Sequence, residues 1–115
     1  MKQTRRTQQV SGLVKKHLSS ILIEEIKDPN FGIVTITSVQ IATDLRVANV
    51  YFSIIGGKKR LDKQIHIIEN MAKTLRMHLA RRIELKYIPA LNMKYDKTPQ
   101  KAQEIEEIIR KIDKS

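Results

Sequence analysis

Apolar residues recur along this chain in different rhythms, and each rhythm predicts an element. Val10, Val14, Leu18 and Ile21, with Leu13 and Leu22 beside them, return every three or four positions. That is the period of one helix face and predicts a helix from about Thr7. Residues 1–6 are polar and basic and read as a loose arm. Asp28-Pro29 ends the helix, since proline disfavours helical backbone in the residue before it, and Asn30-Phe31-Gly32 makes the turn. The rhythm then changes. Ile33 to Ile41 is rich in β-branched residues, and Val47 to Ile55 alternates, with Ala48, Val50, Phe52 and Ile54 on the inward side. The link Ala42-Thr43-Asp44-Leu45 is short enough to imply an antiparallel hairpin.

Gly56-Gly57 closes the hairpin, and helical spacing resumes from about Lys59 to Lys86. Leu61, Ile65, Ile68, Ala72, Leu75, Leu79 and Ile83 share one narrow stripe and read as core. Pro89 breaks the pattern. Leu91, Met93 and Tyr95 alternate with Asn92 and Lys94 as a short third strand. Crossover handedness and geometry make that strand parallel to the second. Thr98 to about Ile112 carries Ala102, Ile105, Ile108, Ile109 and Ile112 on one helical face. The order helix, strand, strand, long helix, strand, helix predicts an α+β domain with a three-stranded mixed sheet and helices on one face. That arrangement resembles the type II KH fold of RNA-binding proteins.

Charge sharpens the picture. The formal net charge is +10 over 115 residues. The stretch 58–97 holds 11 Lys or Arg against Asp62, Glu69, Glu84 and Asp96, a local excess of +7. Residues 1–30 add +3, whereas 31–57 and 98–115 each sum to zero. A positive field concentrated in one segment points at phosphate. The predicted RNA-facing residues are Lys73, Arg76, Arg81, Arg82 and Lys86, with Arg5, Arg6, Lys15 and Lys16 as a second patch. Arg76 and Arg82 flank the apolar stripe, and their alternative role is to lie along the core edge and serve packing.

Other chemistry is poorly supported. The chain has no cysteine, hence no disulfide or thiolate chemistry. His17, His66 and His78 lack a metal-ligating partner at i+4, so neither a metal nor a cofactor is expected. Glu24, Glu25, Asp28 and Asp44 read as solvated carboxylates, and no P-loop, G-x-S-x-G or H-E-x-x-H occurs. An enzyme is not expected; a small nuclease would lack its acid cluster. No apolar run approaches the ~18 residues of a membrane span. The expectation is a cytoplasmic monomer with a nucleic-acid partner. The G-x-x-G loop of a standard KH module is missing from the long helix. Aromatics are few (Phe31, Tyr51, Phe52, Tyr87 and Tyr95), so base stacking is not expected to be the main source of affinity.

Several ordered fragments carry a family resemblance. Ile26-Lys27-Asp28-Pro29, Thr35-Ile36-Thr37-x-Val39, Asp44-Leu45-x-x-Ala48-x-Val50-Tyr51-x-Ser53, Leu75-Arg76-x-x-Leu79, and Pro89-Ala90-Leu91 before Tyr95-Asp96 resemble bacterial ribosome-binding factor A over about residues 6–110. The resemblance implies a type II KH-like domain in which a kink inside the long helix replaces the G-x-x-G loop. It also implies a non-enzymatic assembly factor that binds the immature small ribosomal subunit, supports 5′-end maturation of its rRNA, and aids growth in the cold. The family's interhelical Ala-x-Gly aligns with Met71-Ala72-Lys73, and a basic residue common before the first-helix valine is Gln9 here. Met and Lys are good helix formers, so a shallow kink is expected. The alternative reading is a general single-stranded RNA or DNA binder with no ribosomal target.

Overall fold

The computed structural model describes residues 4–113. Its elements are α1 (Arg5–Glu25), β1 (Ile33–Ile41), β2 (Val47–Ile55), α2 (Leu61–Asn70), α3 (Ala72–Arg82), β3 (Ala90–Tyr95) and α4 (Thr98–Asp113). The strands form one sheet in the order β1-β2-β3, with β1 antiparallel and β3 parallel to β2. This is the expected α+β topology.

Pairing explains which residues are buried. Ile36 faces Phe52, Val39 faces Val50 and Ile41 faces Ala48. Across the parallel ladder Leu91 neighbours Ala48 and Met93 neighbours Val50. All of these except half-buried Val39 are buried. β1 manages this despite its inward residues falling at 34 and 36, then at 39 and 41. A β-bulge between Ile36 and Ser38 makes Thr37 an extra residue and changes the phase of the strand. Of the predicted stripe, Ile68, Leu75, Leu79 and Ile83 are buried, and Leu61, Ile65 and Ala72 pack at the core edge.

Four details depart from expectation. The first helix begins at Arg5, where Thr4 and Thr7 form a reciprocal capping box. Arg5 and Arg6 are therefore helical rather than part of a loose arm, and residues 1–3 of that arm lie outside the described residues. Where helical spacing alone reads one continuous helix, the chain breaks at Met71, within the Met71-Ala72-Lys73 kink that the family resemblance implied. The Met71 N–H bonds to the Ile68 carbonyl at 3.0 Å, a tighter i→i−3 turn. The helical stretch also ends at Arg82 rather than Lys86, because Ile83 turns extended (φ −119°, ψ 130°). Finally, the apolar face of α4 stays largely exposed: Ile105, Ile108, Ile109 and Ile112 each keep more than half of their surface open to solvent.

Gln64 holds the start of α2 against both glycine turns. It is buried; its Oε1 accepts from the Gly32 N–H at 2.8 Å, and its Nε2 donates to the Lys59 and Gly56 carbonyls at 2.9 and 3.2 Å. A Cβ on Gly32 would lie 2.5 Å from the Gly56 oxygen, so only glycine allows this approach. Gln64→Leu keeps the volume and orphans three backbone groups. It is expected to cost about 1–3 kcal/mol, read as a lower denaturant midpoint with an unchanged slope.

Candidate nucleic-acid interface

After α3 the chain crosses back toward β3 through residues 83–89, and this segment builds a basic concavity. It is not a loose connector. Ile83 and Pro89 are buried, and Leu85 and Ile88 pack against the core. From α3, Arg76 donates from Nη2 at 2.8 Å and from Nε at 3.2 Å to the Ile88 carbonyl, tying the segment to the helix. Between them lies an open cleft of about 610 Å³, lined by Lys73, Arg76, Met77, Ala80, Lys86, Tyr87 and Ile88. Three cations and no carboxylate line it. A second cleft of about 280 Å³ shares Lys86 and Tyr87 and adds Arg6, Val10, Thr43, Asp44, Leu45 and Leu85. In its wall Leu45 takes a left-handed backbone (φ 60°), unusual for a branched side chain.

The nine predicted RNA-facing residues therefore separate into groups. Lys73, Arg76 and Lys86 meet in the larger cleft, and Arg6 joins Lys86 in the smaller one. Arg5, Lys15, Lys16 and Arg81 are exposed but line neither. Arg81 makes no ion pair among the described residues, which leaves its charge available. Arg82 is committed elsewhere: its guanidinium bonds to Ser20 Oγ at 3.2 Å and to the Glu24 carboxylate, joining α3 to α1. Arg76 has two roles, holding the 83–89 segment while facing the cleft.

Several carboxylates expected to be merely solvated are engaged as well. Glu24 pairs with Arg82, Glu25 lies 3.0 Å from His78 Nε2, and Asp28 lies 2.8 Å from Lys59 Nζ. The Asp28 carboxyl is held below its ordinary value, first by the Lys59 hydrogen bond and then by the Asn30 N–H. Asp96 is lowered too, by the Thr98 N–H and then the Thr37 hydroxyl. Asp44 accepts from the Arg46 N–H at 3.1 Å within its turn. None of these acids lines the larger cleft.

Tyr87 is the residue that charge counting passed over. It is 67% exposed, and the Lys86 ammonium sits 5.7 Å from its ring centroid. A signal was present in the sequence: a tyrosine between lysine and isoleucine, just before a proline, in the most basic segment.

Comparison with known proteins places the chain. Residues 6–109 match the family model described as ribosome-binding factor A. Ribosome-binding factor A of Macrococcus caseolyticus is 31% identical over 109 residues, covering 95% of this chain and 96% of that one. The Staphylococcus carnosus protein is 32% identical, covering 95% of each. Among solved structures, the crystal structure of ribosome-binding factor A from Thermus thermophilus superposes with a TM-score of 0.63 at 21% identity, covering 76% of this chain and 92% of that one. A homology model of the Thermus thermophilus factor fitted into a cryo-EM map of a 30S complex gives 0.64 at 21% identity, over 76% and 91%. The last two likenesses support the KH-like fold, and the sequence matches span nearly all of the chain with the bulged hairpin, broken helix and basic crossover described above. This chain belongs to the ribosome-binding factor A family.

Proposed function

We propose that this protein is a non-enzymatic assembly factor that binds the immature small ribosomal subunit through its rRNA. It supports maturation of the 5′ end of that rRNA and growth in the cold, acting as a cytoplasmic monomer. Family membership supports the ribosomal target, as does the 30S complex into which the Thermus thermophilus relative was fitted. The observation that carries RNA contact is the cleft lined by Lys73, Arg76 and Lys86 with no acid in its wall. In this reading Lys73, Lys86, Arg6 and Arg81 meet phosphate directly, with Arg5, Lys15 and Lys16 around them. Arg76 and Arg82 act mainly by holding the frame. Phosphate contacts position a protein on structured RNA without reading its sequence.

The test is co-sedimentation with free small subunits and with intact ribosomes across a salt series. Preference for free subunits is expected. Roughly four to six phosphate contacts give a log–log slope of affinity against salt of about −3 to −5. A slope near zero would remove the phosphate model, and equal binding to unrelated single strands would favour a general RNA or DNA binder.

A further inference from the structure

Tyr87 is 67% exposed, so burial in the core does not account for a tyrosine at this position. Its neighbours Leu85, Ile88 and Pro89 provide the anchorage to the core, and Arg76 fixes the Ile88 carbonyl. The ring stands outward between two clefts, with Lys86 over it. The larger cleft continues from the ring over Met77, Ala80 and Ile88 to Lys73. An apolar floor, an aromatic plane and cations at the rim, without a carboxylate, match one ligand chemistry: a flat heteroaromatic base joined to a phosphate.

We propose that this cleft takes one unpaired nucleotide of the bound RNA, its base stacked on Tyr87 and its phosphate held by Lys73 and Lys86. Lys86 covers one face of the ring, which leaves the other for the base and keeps a cation near the phosphate. The anchored segment incurs its ordering cost during folding rather than on binding. Stacking tolerates any base, because every base has a π-face. The proposal rests on the RNA reading of the same surface and deepens it: single-stranded character is recognised at Tyr87, whereas the cations alone would accept a duplex equally well.

The chain has no tryptophan, so Tyr87→Trp introduces a sole reporter at the site. Titrated with a short oligouridylate, its emission should be quenched; a blunt-ended RNA duplex should leave it nearly unchanged. Tyr87→Ala should lower oligouridylate affinity by about 5- to 150-fold, the range of one lost stacking contact. Duplex affinity and the thermal midpoint should stay near wild type, and Tyr87→Phe should bind as wild type because it keeps the ring. Three results would overturn the stacking assignment while leaving phosphate binding intact: an alanine variant that binds oligouridylate normally, one that loses both probes equally, or Trp emission that ignores bound single strand. Failure of the wild-type protein to bind either probe would remove the RNA reading itself, and this proposal with it.

Discussion

Phe52→Ala is expected to lower stability by about 3–5 kcal/mol, the usual cost of deleting a buried aromatic ring. Phe52 is fully buried on the central strand, where its Cα partners are Ile36 on one side and Tyr95 on the other. Its ring meets that of Tyr95 edge to face, with centroids 5.7 Å apart at 76°. Such a pair contributes about 0.5–1.5 kcal/mol beyond its buried area. A domain of this size is held by only about 5–15 kcal/mol, so the variant should unfold at a much lower denaturant concentration. Phe52→Leu should fall between the two. A midpoint that barely moves for Phe52→Ala would mean that the ring is not in the core, and would overturn the register of the whole hairpin.

That register was legible because β2 alternates cleanly and its loop to β1 is short. β1 was harder. Its β-branched run announces a strand, yet Val34, Ile36, Val39 and Ile41 cannot share a face at period two without the bulge at Thr37. The stripe of the long helix was equally plain. Its interruption at Met71 was not, since Met71, Ala72 and Lys73 are all acceptable helix residues and only the family resemblance pointed there. Gln64 was invisible for a different reason. A glutamine beside an apolar stripe reads as surface, and its three backbone partners lie in turns that only the fold brings together.

The site was legible as a charge excess and not as a shape. Composition places eleven cations between 58 and 97 but does not tell which are already engaged. Arg82 is taken up by Glu24 because α3 lies beside α1, and Arg76 is partly taken up by Ile88 because the chain folds back after Arg82. Both partners are remote or on a return segment. Lys86 gained its place for the converse reason. Read as the end of a helix it would have pointed along the core stripe, but the early stop at Arg82 frees it to face the cleft. Tyr87 was discounted on numbers of aromatics, and its exposure follows from the anchorage of its neighbours.

The second large effect separates a shaped site from a diffuse field. Lys73→Glu combined with Lys86→Glu should weaken rRNA binding on the order of 100-fold, since each charge-assisted contact contributes about 1.5 kcal/mol or more. The salt slope should become shallower by about 2, one unit for each lost phosphate contact. Lys73 is exposed and Lys86 lies at the cleft rim outside the core, so folding should change by only about 0.5 kcal/mol per site. The control is Arg110→Glu with Lys111→Glu on α4, an identical change in total charge at two exposed positions. These lie in a segment whose own charge sums to zero, and losing the pairs they can form with Glu106 and Glu107 costs a helix only a few tenths of a kcal/mol. Arg81→Glu, exposed on α3 but outside the cleft, should give an intermediate loss. If binding followed net charge alone, the two double reversals would weaken it equally. That result would dissolve the cleft as a site and leave only an attractive surface, whereas an α4 double variant close to wild type would locate the phosphate contacts between α3 and the 83–89 segment.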